Sequence, residues 1–197
     1  MIPIIFCSII AFAIFIERVW NLRKAKIDTD KFLEKIIDLI KRNKIMEAID
    51  NCNNTPGPIA HIIKKGILKH DRTRDEIRDT IQDAGSYEVP RLERNLNVLA
   101  TIAHISPLLG LLGTVTGMVR AFQVIEQKAS SMVPVNPGDL AGGIWEALIT
   151  TVAGLMVAIP TYVAYNYLVS KVDNFVMDME RSATELVNIL SVKREGA

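Results

Sequence analysis

The sequence predicts an all-α membrane protein with three transmembrane helices, two of them extended into a cytoplasmic helical domain. Three observations predict it. First, charge disappears from three windows: Met1–Ile16, Asn95–Val119 and Ala147–Val169 hold no Asp, Glu, Lys or Arg. The second and third windows meet the length needed to cross a hydrocarbon core about 30 Å thick, and the first falls short of the usual ~20 residues. Second, 17 of the 23 Lys and Arg residues lie between Arg18 and Arg94. Third, the charged stretches carry apolar residues at helical spacing. The totals alone, 49% hydrophobic and net charge +1 over 197 residues, would suit a soluble domain. The distribution decides the class.

The first window lacks a basic n-region and a small-residue cleavage site, and it ends in Glu17-Arg18 and Val19-Trp20. It reads as the end of a spanning helix, with Trp20 at the interface, rather than as a signal peptide. Arg23, Lys24 and Lys26 follow as the topology signal, with anionic lipid as a second use. Phe32, Leu33, Ile36, Ile37 and Ile40 recur as a helix; Ile45, Met46, Ala48 and Ile49 start a second one. The run Asn51–Pro58 is dense in turn formers and is expected to break it. Ile59, Ile62, Ile63, Ile67 and Leu68 mark a third amphipathic helix. Thr73-x-x-Glu76 has the form of a capping box. From there one long helix is expected to rise into the second span, with Gly85 and Pro90 as kinks at most.

Positive-inside bias places 18–94 in the cytoplasm, the N-terminus and a short outer loop outside, and the C-terminus inside. The expected organisation is a first transmembrane helix over 1–20, a cytoplasmic helical region over 21–94 and a second transmembrane helix over 95–127. A periplasmic loop over 128–138, a third transmembrane helix over 139–169 and a cytoplasmic C-terminal helix over 170–197 complete it. Val172, Phe175, Val176, Met179, Ala183, Leu186, Val187 and Leu190 form a heptad-like stripe on that last helix. Three spans cannot easily enclose a pore, so homo-oligomerisation is inferred.

The third span is not a plain anchor. From Leu140 to Val169 the one carboxylate is Glu146; a carboxylate costs about 2.5–3.5 kcal/mol at mid-span on insertion scales, so such a group faces a bundle interior or wet cavity. Glu146 shares a helix face with Thr150, Ala153, Gly154, Val157 and Thr161. It is the leading ion-path residue. A snorkelling carboxylate, or one locked to Arg120 of a neighbouring copy, is the competing reading. Thr114, Thr150 and Thr151 are candidates for a polar ring, against the ordinary use of bonding their own helix carbonyls. His104 is a weaker relay candidate. Gly113 and Gly117 form a GxxxG pair for close helix contact; Gly110 and Gly154 extend the set of packing residues, and Pro107 and Pro160 are expected kinks. Cys7 and Cys52 and the histidines at 61, 70 and 104 show no metal-ligand spacing, no nucleophile has a paired base, and no aromatic–basic platform for nucleic acid appears. No cofactor, metal or enzymatic activity is expected.

The segments LNVLATIAHISPLLGLLGTVTGMVRAF and GGIWEALITTVAGLMVAIPTYVAYN, with the IPIIFCSIIAFAIFIERVW start, resemble the ExbB/TolQ/MotA proton-channel family, its ExbB branch most closely. The resemblance covers nearly the whole chain. It implies a pentamer of mostly helical subunits around an ExbD-like single-span partner, powered by the proton-motive force. Energy would pass through a TonB-like protein to outer-membrane transport. It also implies that Glu146, Thr151 and Thr114 sit at the family's third-span glutamate, third-span threonine and second-span threonine, while the titrating aspartate belongs to the partner. Thr151 lies about 140° from Glu146 on an ideal helix, so both touch one pore helix only on a broad or kinked face. One departure is the start of the chain, because family members usually have residues before this span. A Tol-Pal role beside TolR and TolA, or a non-conducting membrane scaffold, are the rival functions.

Overall fold

The computed structural model describes residues 1–131, 134 and 136–195, and gives no side-chain description for 139 or 192–195. The expected outer loop therefore falls partly, and the Asp139 side chain wholly, outside the described residues. Among the described residues all regular structure is helical: α1 (Ile2–Ala25), α2 (Thr29–Lys41), α3 (Ile45–Asn54), α4 (Pro58–Ile67), α5 (Arg74–Glu93), α6 (Leu96–Ser130) and α7 (Pro137–Glu195). Three stretches are long and apolar enough to cross a membrane. The chain forms two compact units. The first comprises Met1–Glu17 with Asn95–Tyr167, and the second Arg18–Arg94 with Leu168–Ala197.

The second unit is built like a soluble helical domain. Asp28 caps α2, its carboxylate accepting from the Lys31 N–H at 3.3 Å. That bond and the Lys31 ammonium hold the Asp28 carboxyl below its ordinary value. Leu33, Ile36 and Ile40 of α2, Ala48 and Cys52 of α3, and Ile59, Ile62, Ile63 and Ile67 of α4 are buried together with Ile77 and Ile81 of α5. Each such aliphatic side chain contributes about 1.5–3 kcal/mol when fully removed from water, an upper figure because the unfolded chain is itself partly compact. The stripe on α7 is the face that is buried: Val172, Phe175, Met179, Leu186, Val187 and Leu190 are each at most 9% exposed.

The turn-rich run 51–58 breaks the helix: α3 stops at Asn54 and the chain turns at Gly57, whose φ is +113°. Glycine is required there twice over. A side chain would be strained at that φ, and its Cβ would lie 2.7 Å from the Ala25 carbonyl oxygen. One detail differs from the expectation: the long helix expected from Thr73 is interrupted. Asn95 takes φ +63°, a left-handed conformation that Asn tolerates better than most residues, and separates α5 from α6. Pro90, by contrast, lies inside α5.

The α5 start is the capping box the sequence predicts. The Glu76 N–H donates to Thr73 Oγ1 at 3.3 Å and the Thr73 N–H donates to Glu76 Oε2 at 3.0 Å. Those bonds hold the Glu76 carboxyl below its ordinary value. The α5 end is capped from α1. Arg18, only 4% exposed, donates from Nη1 to the carbonyls of Arg91 at 3.2 Å and Leu92 at 3.4 Å. A cation at a helix C-terminus satisfies orphan carbonyls and complements the helix dipole. Beside it, Glu88 is buried on α5, with His61 Nδ1 at 2.6 Å and Arg91 Nη1 donating to it at 3.2 Å.

The first unit has the opposite character. Phe6, Ile9 and Phe12 of α1, Leu108, Leu111, Leu112 and Val115 of α6, and Leu148, Val152, Met156 and Ile159 of α7 are all exposed. Such a surface suits lipid or neighbouring apolar helices and is out of place in water.

Candidate functional site

The site is built on the antiparallel pairing of α6 with α7 within the first unit. Small residues set its register. A Cβ on Gly154 would lie 2.6 Å from the Ser106 carbonyl oxygen and 3.1 Å from Gly110 Cα. One on Gly110 would lie 3.0 Å from Thr151 Cα, and one on Gly113 would lie 2.6 Å from Thr150 Cβ. Higher up, Gly117 meets Ala147 at 3.0 Å and Gly143 meets Ala121 at 2.6 Å by the same construction. The ladder of glycines and alanines brings the two backbones nearly into contact, as small residues do where no hydrophobic force pulls membrane helices together. All four predicted packing glycines lie at this contact. Pro160 lies inside α7 and is exposed.

Close approach makes hydrogen bonds between the helices possible. The Gly110 carbonyl, with no side chain to screen it, accepts from Thr150 Oγ1 at 3.3 Å and from Thr151 Oγ1 at 3.2 Å. Thr150 shares its single hydroxyl proton between the Gly110 contact and a shorter one to the Ala147 carbonyl at 2.7 Å. Interhelical bonds of this kind average about 0.6 kcal/mol in membranes and reach about 1.7. Thr114 donates to the Leu111 carbonyl of its own helix at 2.6 Å.

The face predicted to run from Glu146 through Thr150, Gly154 and Thr161 is divided by this packing. Thr150, Gly154 and Thr161 turn inward and are buried, whereas Glu146 stands at the exposed edge. Thr151 and Thr114 are half-buried. Glu146 sits nine residues after the first residue of α7, about 13 Å along the axis. Its side chain is 64% exposed, and its Oε1 lies 3.8 Å from Arg120 Nη1 of the same chain. That distance makes an ion pair but is too long for a hydrogen bond. This contact lies within one chain, whereas the sequence reading places Arg120 on a neighbour.

His104 donates from Nδ1 to the Ala100 carbonyl at 2.6 Å. Its ring stands edge-on to Tyr162, with centroids 6.4 Å apart. Among the described residues no group of His, Cys, Asp and Glu could hold a metal ion.

Sequence reasoning did not single out Arg18 or the buried Glu88 with His61. Arg18 was legible only as the first cation after an apolar window. Glu88 continues the capping-box helix's apolar stripe, seven residues after Ile81 and four before Leu92, so its spacing marked the buried face while its charge argued against it. Cys52 is buried, and burial pushes its thiol up to about 11, which fits an inert structural cysteine.

Comparison with known proteins bears on this arrangement. A model of the MotA/TolQ/ExbB proton channel family matches residues 54–181. A biopolymer transport ExbB-like protein of Synechocystis sp. is 32% identical over 165 residues, covering 84% of this chain and 78% of the relative. A biopolymer transport ExbB homologue of Methanothermobacter thermautotrophicus is 29% identical over 174 residues, and the match takes in 88% of this chain but only 60% of that relative. The Tol-Pal system protein TolQ of Haemophilus influenzae is 31% identical over 195 residues, covering 93% of this chain and 83% of TolQ. Among solved structures, that of Campylobacter jejuni MotAB superposes with a TM-score of 0.69 at 15% identity, covering 97% of this chain and 74% of the other. That likeness concerns the fold. With its three apolar helices and a family match across most of its length, this chain belongs to the MotA/TolQ/ExbB proton channel family.

Proposed function

We propose that the chain is an ExbB-like subunit of a proton-motive-force-driven inner-membrane motor that energises TonB-dependent outer-membrane import. In this reading five copies form a ring, an ExbD-like single-span partner occupies its centre, and a TonB-like protein takes up the motion. The subunit is multi-pass, with its N-terminus periplasmic and its C-terminus cytoplasmic, its second unit in the cytoplasm and its apolar faces against lipid and neighbours. It is a transport-energising protein and not an enzyme. The observation that carries the reading is Glu146: a carboxylate held at the exposed edge of a tightly packed helix pair, inside an otherwise apolar stretch.

The chain's own residues divide the work. The small-residue ladder keeps the α6–α7 pair rigid. Glu146 presents charge toward the partner, and Thr114, Thr150 and Thr151 polarise the path beside it. Each unit charge crossing about 100 mV supplies about 2.3 kcal/mol, so a few protons per step suffice to move a ring against its core.

A TolQ-like role in the Tol-Pal system is the second reading, favoured by a TolQ match as extensive as those to the ExbB relatives. A non-conducting scaffold is the third, and Glu146→Ala separates it, because a scaffold keeps full function. The first test is native mass spectrometry after co-expression with the adjacent small single-span gene product. Five copies with two of the partner are expected. A monomer, or a ring with an empty centre, would refute the motor.

A further inference from the structure

We propose that Arg120 is a displaceable counter-ion for Glu146, a positioning residue that keeps the ion path closed at its outer end until the pair separates. The proposal rests on the reading of Glu146 as a path residue. Between Arg94 and Lys128, Arg120 is the one Lys or Arg in the chain. Glu146 is the one Asp or Glu between Asp139 and Asp173. The helix register brings these two solitary charges to the same level. Gly117 against Ala147 and Ala121 against Gly143 fix the backbones on either side, and Arg120 and Glu146 are the residues adjoining Ala121 and Ala147.

The pair is built to open. At 3.8 Å its partners attract without a hydrogen bond, and both side chains are largely exposed, 73% and 64%. The backbones behind them are closely packed, whereas the two side chains are exposed and free to change rotamer. A closed pair presents a neutral contact to the path. An open pair presents a bare carboxylate, and a negatively lined cleft raises the local cation concentration about tenfold or more. The other ionisable groups of this unit lie at other levels. Glu126 and Lys128 are six and eight residues further along α6, about 9 and 12 Å away along the axis. On α1, Cys7 and Glu17 are the ionisable side chains of this unit. On α7 the neighbouring titratable residues are Asp139, seven residues before Glu146 and about 10 Å away along the axis, and Tyr162, about 24 Å beyond it. His104 is level with Tyr162.

The test uses the assembly as purified from membranes with its co-expressed partner, reconstituted in phosphatidylethanolamine–phosphatidylglycerol vesicles containing a pH indicator. Passive proton leak under a potassium diffusion potential is recorded. Arg120→Gln should raise the leak about tenfold, Arg120→Lys should keep it near wild type, and Arg120→Gln with Glu146→Gln should return it to wild type, because no bare carboxylate remains. An unchanged leak in Arg120→Gln, or equal failure of Arg120→Lys, overturns the proposal, provided the assembly has its normal mass. Partner-driven flux in Glu146→Gln is the separate measurement. If it is unaffected, the path reading of Glu146 fails. If it is lost while Arg120→Gln does not leak, only the counter-ion role fails.

Discussion

Gly154→Ala should destabilise the α6–α7 pair, although alanine is the better helix former. The added Cβ would lie 2.6 Å from the Ser106 carbonyl oxygen and 3.1 Å from Gly110 Cα. Neither obstacle is a flexible side-chain end; both belong to a helix backbone. Relief therefore requires moving one helix from the other, which stretches the Thr150 and Thr151 bonds to Gly110 at 3.3 and 3.2 Å. Overpacking of this kind costs about 1–3 kcal/mol. The intrinsic preference of a helix for Ala over Gly offsets about 1 kcal/mol of that. The net loss is about 0–2 kcal/mol, up to a factor of about thirty in the unfolding equilibrium, and about 1–3 kcal/mol relative to a Gly→Ala change that meets open space. Gly142→Ala supplies the control, because its Cβ would meet nothing within 4 Å in the same helix. That substitution should be neutral or stabilising in the isolated subunit. The assay is titration of detergent-solubilised subunit with sodium dodecyl sulfate, followed by fluorescence of the two tryptophans, Trp20 and Trp145. Equal effects of the two substitutions would refute the claim that the backbone ladder sets the pairing.

Other outcomes follow from the second unit. Thr73→Ala removes the α5 cap and should cost about 1 kcal/mol, read by thermal melting at neutral pH. The Asp28 and Glu76 carboxyls are held below their ordinary values of 3.8 and 4.5, so their contribution is fully present above those values. It is lost as pH falls further, through the lower folded values. Acid melting of Thr73→Ala should accordingly lose the part due to Glu76. Cys52, raised from 9.0 to about 11, contributes stability that is complete below pH 9 and lost as pH rises towards 11. At neutral pH a thiol reagent should leave it unmodified until the chain is unfolded, and prompt labelling in the native assembly would contradict its burial. Arg18→Leu leaves the Arg91 and Leu92 carbonyls without that donor and should cost about 1–3 kcal/mol, with hydrogen exchange rising first in the last turn of α5.

Reading the sequence worked where one residue and its near neighbours settle the outcome. A capping box is local, and Thr73 with Glu76 forms both of its bonds. The apolar stripe from Val172 to Leu190 contrasts with a polar background, so its period identifies the buried face. The break at Asn95 was not legible. Neither Gly nor Pro marks it, and Pro90, the visible signal, lies five residues away inside α5. Asn can adopt a left-handed conformation, but no local rule makes it do so. In the spans periodicity fails for another reason: with nearly every residue apolar, lipid-facing and helix-facing positions look alike. Small residues showed that helices would come close there without showing which ones would meet.

The sequence by itself determined an all-helical chain with three membrane-long apolar helices, the family, and the residues most worth testing, because hydropathy, charge and helix caps are properties of short segments. Only the tertiary structure decided the partners. It set Gly154 against Ser106, turned Thr150 inward to Gly110 while leaving Glu146 outside, and brought Arg120 across to that glutamate. It also carried Arg18 to the end of a helix more than seventy residues away. Contact distances depend on how two backbones cross, and that crossing is a property of neither segment alone.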